Sequence, residues 1–142
     1  MKPLLIALLL ASPALADDDT PKFGMAGLLS SKNKQDLPPI TLSAGEPLAA
    51  APWELTSGTY YEFEIQSDGS QELALIGPEF FRAIWIDEIV VQGLEIRPLG
   101  LDSLEFDEAG EMEIGFIAIK PGSYTLRVPG AGDLQTLQIT IR

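Results

Sequence analysis

The chain has no cysteine and no histidine. Without thiolate or imidazole there is no Ser-His-Asp or Cys-His nucleophile system, no cysteine-histidine zinc site and no blue-copper centre. No disulfide can form, so the core must hold the fold unaided even where small domains commonly rely on cross-links. Basic residues are scarce as well: nine Lys and Arg stand against 21 Asp and Glu, a net charge of −12. Phosphate backbones and anionic lipid repel such a chain, which argues against nucleic acid and membrane surfaces and leaves basic proteins and cations as compatible partners. Acidity also serves solubility alone, so the charge by itself locates no site.

Long apolar runs are absent after the first residues. Lys2, the uncharged stretch Leu4 to Leu10 and the small-residue site Ala14-Leu15-Ala16 read as a cleavable secretory signal over residues 1–16. A membrane anchor needs about 20 apolar residues, and Pro13 with Asp17-Asp18-Asp19 interrupts sooner. No cysteine follows the apolar run, which closes the lipoprotein route. The expected location is the periplasm, of the Gram-negative bacterial type, or the exterior, with no membrane insertion after cleavage. Removing 16 residues from 142 leaves 126, one domain's worth, with eight basic against 21 acidic residues and hence −13.

Residues 17–39 read as a flexible acidic and polar N-terminal arm closed by Pro38-Pro39. Its apolar patch, Phe23 to Leu29, is suited to packing across the domain's own open edge or into a partner's groove.

Residues 40–142 carry period-two alternation broken by turn residues, the signature of an antiparallel sandwich. Tyr61, Phe63 and Ile65 share one strand face and Glu62 and Glu64 the other. Ser67-Asp68-Gly69 offers an Asx bond and a positive φ, and predicts a hairpin into Gln71 to Ile76. Gly77-Pro78-Glu79 is a helix start. The spacing from Phe80 predicts one short helical turn and then two strands joined at Gln92-Gly93; a single helix over residues 79–92 is the alternative. Leu101 to Phe106, Glu111 to Ile119, Ser123 to Val128 and Leu134 to Ile141 complete seven or eight strands, an all-β Greek-key sandwich with one helical turn.

Pro121-Gly122-Ser123-Tyr124-Thr125-Leu126, the loop Pro129-Gly130-Ala131-Gly132 and the strand Leu137 to Ile141 resemble the closing strand-loop-strand of cupredoxins. Ile40 to Gly45 followed by Tyr60 to Ile65 resembles their opening strands. The resemblance implies a cupredoxin-like fold over most of Ile40 to Arg142. A copper cupredoxin carries cysteine, histidine and usually methionine in the loop before its last strand; here that loop offers Arg127, Val128, Pro129, Gly130, Ala131, Gly132 and Asp133. The implied module is therefore copper-free, with no cofactor and no catalytic role, and it acts through a protein partner.

The candidate partner surface is Phe80, Phe81, Arg82 and Trp85, because aromatics and arginine are enriched at binding hot spots; a core role is the favoured reading of the aromatics. The strand pairs Glu62 with Glu64 and Glu111 with Glu113 are the solvated face of a half-buried sheet, or the acids of a carboxylate-dependent hydrolase, or ligands for a divalent cation. Asp68 to Glu72 supplies oxygen donors without the alternating spacing of a calcium loop. Met25 and Met112 lie too far apart in sequence to suggest a copper(I) pair. Lys120 and Ser123 sit at a turn, where a lysine stays solvated and is a poor general base.

Overall fold

The computed structural model describes residues 27–142; the signal and the first ten residues of the arm, Phe23 and Met25 among them, lie outside the described residues. Among the described residues eleven strands form two sheets. The larger sheet runs β1 (Lys34–Asp36), β4 (Tyr60–Ser67), β9 (Gly110–Ala118), β6 (Ile84–Val91), β7 (Leu94–Ile96), and β2 (Ile40–Leu42) also pairs with β4. The smaller runs β3 (Trp53–Leu55), β11 (Thr136–Ile141), β10 (Gly122–Arg127), β5 (Leu73–Ile76), β8 (Ser103–Phe106). Among the described residues no helix is long and apolar enough to cross a membrane.

β4 and β9 make the longest ladder, from Tyr60 opposite Ile117 to Ser67 opposite Gly110. Alternation aims Tyr61, Phe63, Ile65, Ile114 and Phe116 inward, and all five are buried. Three phenylalanines from separate elements meet there: Phe116 lies edge-on to Phe63 at 5.9 Å and to Phe80 at 5.7 Å. Trp53 of the smaller sheet stands edge-on to Phe63 at 5.0 Å. Its indole N–H has no hydrogen-bond partner among the described residues, a cost of about 1–3 kcal/mol offset by the large apolar area that the ring buries.

The expected hairpin between Tyr60–Gln66 and Gln71–Ile76 is corrected by the structure. β4 pairs with β9, whereas β5 pairs with β8 and β10 in the other sheet. Alternation directs both strands at one core but does not choose neighbours, and the five residues between them cross from sheet to sheet. The turn chemistry itself is as expected: Ser70 N–H donates to Asp68 Oδ1 at 2.8 Å, and Gly69 has φ 70°. The Ser43 hydroxyl also bonds Asp68 Oδ2 at 2.6 Å, tying the crossing to the end of β2.

The domain boundary placed at Ile40 falls inside the sheet. Lys34–Asp36 pairs parallel with Tyr60–Glu62, and Ile40–Leu42 pairs parallel with Ile65–Ser67, so two consecutive segments line one edge of β4. Pro38 and Pro39 lack N–H donors and break the ladder between them. Asn33 anchors this edge: its side-chain amide donates to Leu28 O at 2.9 Å and Gly58 O at 3.0 Å.

Pro78–Phe81 forms α1, the expected short turn, followed by β6 and β7 rather than by one long helix. Gln92 and Gly93 both have positive φ, 49° and 81°, as a two-residue type I′ hairpin requires. Gly77 is needed for contact: a Cβ there would sit 2.8 Å from the backbone carbonyl oxygen of Thr125 and 2.4 Å from Leu126 Cδ2, so glycine seats α1 against β10.

Candidate functional site

The four residues of the expected partner surface have two fates. Phe80 and Phe81 are core residues, as the reading favoured for the aromatics has it, and the candidate partner surface is corrected by their loss. Phe80 is fully buried and packs against Phe81, Phe116 and Tyr124, because α1 tucks its first turn between the sheets. Arg82 ends the turn outside and pairs with Asp102 at 3.1 Å, both side chains being mostly solvated; such a pair contributes little to stability. Trp85 points outward from β6 and is 47% exposed.

Trp85 belongs to a row across the outer face of the larger sheet. Register places Tyr60 of β4 opposite Ile117 of β9, and Ile117 opposite Trp85. Tyr60 and Ile117 are buried although they face away from the sandwich interior. Gly115 makes this arrangement feasible: a Cβ there would lie 2.2 Å from the Tyr60 hydroxyl, which reaches over the glycine to Asp87 Oδ2 at 3.3 Å. Desolvation, then the nearby Asp87 and Glu88 carboxylates, push the Tyr60 hydroxyl well above its ordinary range.

The same face becomes acidic away from this row. Glu64 lies opposite Glu113, and Glu62 opposite Gly115. A register irregularity between Ile86 and Glu88 leaves Asp87 and Glu88 both half-exposed. Two cations answer these acids. Lys34 pairs with Glu62; Arg97 reaches Asp87, Glu88 and Glu95 at 3.0 to 3.2 Å.

Glu62, Glu64 and Glu113 line a shallow cleft of about 240 Å³ with Asp36, Leu37 and Pro39. Desolvation, then the Glu62 charge, hold Glu113 above the ordinary carboxylate range, while Lys34 draws it down. The bond to Glu62 in turn raises Lys34. The strand pairs singled out in the sequence thus share one face as alternation requires, with a lysine ammonium beside Glu62.

Three carboxylates that the sequence did not associate also meet. Glu72, at the start of β5, and Glu105 and Asp107, from the end of β8, place carboxylate oxygens within 4.8 Å of one another, all exposed. Glu72 hydrogen-bonds to Glu105 and raises its pKa. Glu105 lies opposite Ala74 in the register of β5 with β8, a long-range pairing invisible to local spacing. Asp68 is instead absorbed by Ser43 and Ser70, whose hydrogen bonds lower its pKa. Met112 packs half-buried against the core opposite Ile65, and Lys120 and Ser123 are exposed at their turn.

The loop before the last strand, where a copper cupredoxin holds its metal, is closed here by backbone and amide bonds. Buried Gln135 donates to Ser43 O at 2.6 Å and Glu46 O at 3.2 Å, and Val128 N–H bonds Gln135 O at 3.0 Å. A cleft of about 360 Å³ there is lined by Ala44, Gly45, Leu73, Val128, Pro129 and Gln135, among others. None of its residues has an imidazole or sulfur donor for copper.

No protein-family profile matches the chain. No curated protein sequence matches it either. Solved structures do. A multi-copper oxidase from Pseudomonas thermotolerans superimposes with a TM-score of 0.54 at 12% identity, over 78% of this chain and 30% of that one. A copper nitrite reductase from Nitrosomonas europaea gives 0.51 at 14% identity, over 66% of this chain and 33% of that one. The chain thus spans about a third of the length of these enzymes. At such low identity the likeness concerns fold alone, and the fold is a cupredoxin-like β-sandwich that carries no histidine or cysteine with which to hold copper.

Proposed function

We propose that the protein is a non-catalytic periplasmic accessory or binding module, a copper-free cupredoxin-like domain that acts through a protein partner docking on the outer face of the larger sheet. Its carrying observation is Trp85, which stands 47% exposed beside Ile117, a buried residue of the same row. Aromatic rings that are half-buried and rigidly flanked lose little entropy on docking and dominate binding energy. Arg82, two residues from the start of β6, supplies a second side chain of the enriched type. The structural neighbours are copper enzymes; this chain shares their fold without their ligands, which turns the reading from electron transfer toward assistance or assembly. The N-terminal signal pattern supports the periplasmic setting.

The test is retention of a periplasmic protein by immobilised wild type compared with Trp85→Ala. A specific protein should be retained, and Trp85→Ala should weaken it about tenfold or more, the effect of losing a hot-spot ring. No retention, or equal retention by both, defeats the reading. A tight stoichiometric transition metal in the purified protein, or a melting temperature lowered by chelator, would also defeat it.

A second reading, a carboxylate-based cation binder, is favoured by the convergence of Glu72, Glu105 and Asp107. Calcium should then raise the melting temperature through preferential binding to the folded state, and Glu105→Gln should remove the rise. A carboxylate-dependent hydrolase would use Glu113 with Glu62 or Glu64. The Lys34–Glu62 pair and the shallowness of the cleft weigh against it.

A further inference from the structure

The free edge of the larger sheet carries an unusual share of the exposed apolar side chains. Leu94 is 63% and Ile96 42% exposed on β7, and Leu99 just beyond is fully exposed. Among the described residues β7 pairs only with β6, through Ile89 opposite Ile96, Val90 opposite Glu95 and Val91 opposite Leu94.

The hairpin geometry fixes which backbone groups this edge presents. In a two-residue hairpin the residues flanking the turn are a hydrogen-bonded pair, and hydrogen-bonded and non-bonded pairs alternate from there. Leu94 and Ile96 therefore turn their N–H and C=O groups toward β6. Glu95 and Arg97 turn theirs outward, and no turn or loop of the described residues engages them.

We infer that β7 pairs antiparallel with β7 of a second copy of this chain, in the register that places Ile96 opposite Ile96. Glu95 then faces Arg97 of the second copy, and Arg97 faces its Glu95. Those are the residues with outward backbone groups, so four N–H···O=C bonds close across the twofold axis. The same two positions form opposite-charge cross-strand pairs, and the isoleucines fill the non-hydrogen-bonded site between them. The neighbouring registers fail. Centring on Glu95 sets two carboxylates face to face, and a half-step places Glu95 opposite Ile96, whose backbone groups are already turned to β6. Charges on an edge strand ordinarily prevent self-pairing. Here their alternation makes the edge complementary to itself, as an isologous interface requires. The axis stands perpendicular to the sheet, so both outer faces, each with its Trp85, look the same way.

A chain without cysteine allows a direct test. In Ile96→Cys the sole thiol meets its copy across a non-hydrogen-bonded pair with Cα atoms about 4.5 Å apart, within disulfide range. In Leu94→Cys, comparably exposed, the two thiols would lie about 13 Å apart along the strands. Mild oxidation should cross-link Ile96→Cys about tenfold faster than Leu94→Cys. Sedimentation of wild type should show a dimer that grows with concentration, and Ile96→Lys, folded by circular dichroism, should remain monomeric. Equal cross-linking of the two cysteine variants, or a wild-type monomer from low micromolar to several hundred micromolar, overturns the inference.

Discussion

The two edges of the larger sheet are finished in opposite ways. At one, β1 and β2 lie in succession along β4, Ile40 and Leu42 are buried, and Asn33 anchors the chain with two side-chain bonds. At the other, β7 is three exposed residues with no further strand beyond it among the described residues. Both edges are short and contain isoleucine, so strand propensity does not separate them. Whether the next stretch of chain returns to cover the edge does. The difference separates a part of the sheet that stabilises the fold from a part left free to meet something else.

The largest break of this contrast is a matched pair of substitutions. Ile40→Ala removes a fully buried side chain and should cost about 2–5 kcal/mol. Ile96→Ala at the free edge, compared at concentrations low enough that both proteins are monomeric, should stay within about 0.5 kcal/mol. Thermal and denaturant unfolding check both, and equal losses would mean that β7 is as integral as β2. Next comes Asn33→Ala, which leaves the carbonyls of Leu28 and Gly58 without their donor and should cost about 1–3 kcal/mol. A loss confined to the segment before β2, seen as faster amide exchange in Lys34–Asp36 with β9 unchanged, would sharpen the picture of a locally pinned edge.

The smallest effect concerns Glu113, between the two edges. Its pKa is raised in the folded state, so the folded protein holds the proton to higher pH than the unfolded chain does. Its contribution is most favourable below the ordinary glutamate range and is lost as pH rises through the raised value. Glu113→Gln should therefore melt slightly higher than wild type at neutral pH, with the advantage vanishing toward pH 4. A variant less stable at neutral pH would show that the attraction of Lys34 for the Glu113 carboxylate outweighs the desolvation.

Much of this was legible from local pattern. Period two read correctly for β4, β9, β10 and β11, and the Gln92-Gly93 pair marked the hairpin between β6 and β7. β1 escaped notice because three residues before a double proline show no period, whereas β2 was reached only through the resemblance of Ile40 to Gly45 to an opening strand. The β4–β5 hairpin was misassigned because alternation specifies a face and not a neighbour. At the candidate site, Phe80 and Trp85 looked alike in sequence. Their separation depends on Gly77 admitting α1 to the core, a close approach that only the packed structure reveals. The carboxylates of Glu72, Glu105 and Asp107 come together through β5–β8 pairing across the 26 positions between the two strands, beyond the reach of any motif.

The two tryptophans have one more consequence. Trp53 sits in an apolar interior with its N–H unbonded, whereas Trp85 stands half in water on a sheet face. Their emission should separate into a blue component that a soluble quencher cannot reach and a red one that it can. With no thiol, disulfide or imidazole in the chain to quench either indole, the protein carries two built-in optical reporters. One follows the integrity of the core, and the other follows whatever comes to rest on the outer face.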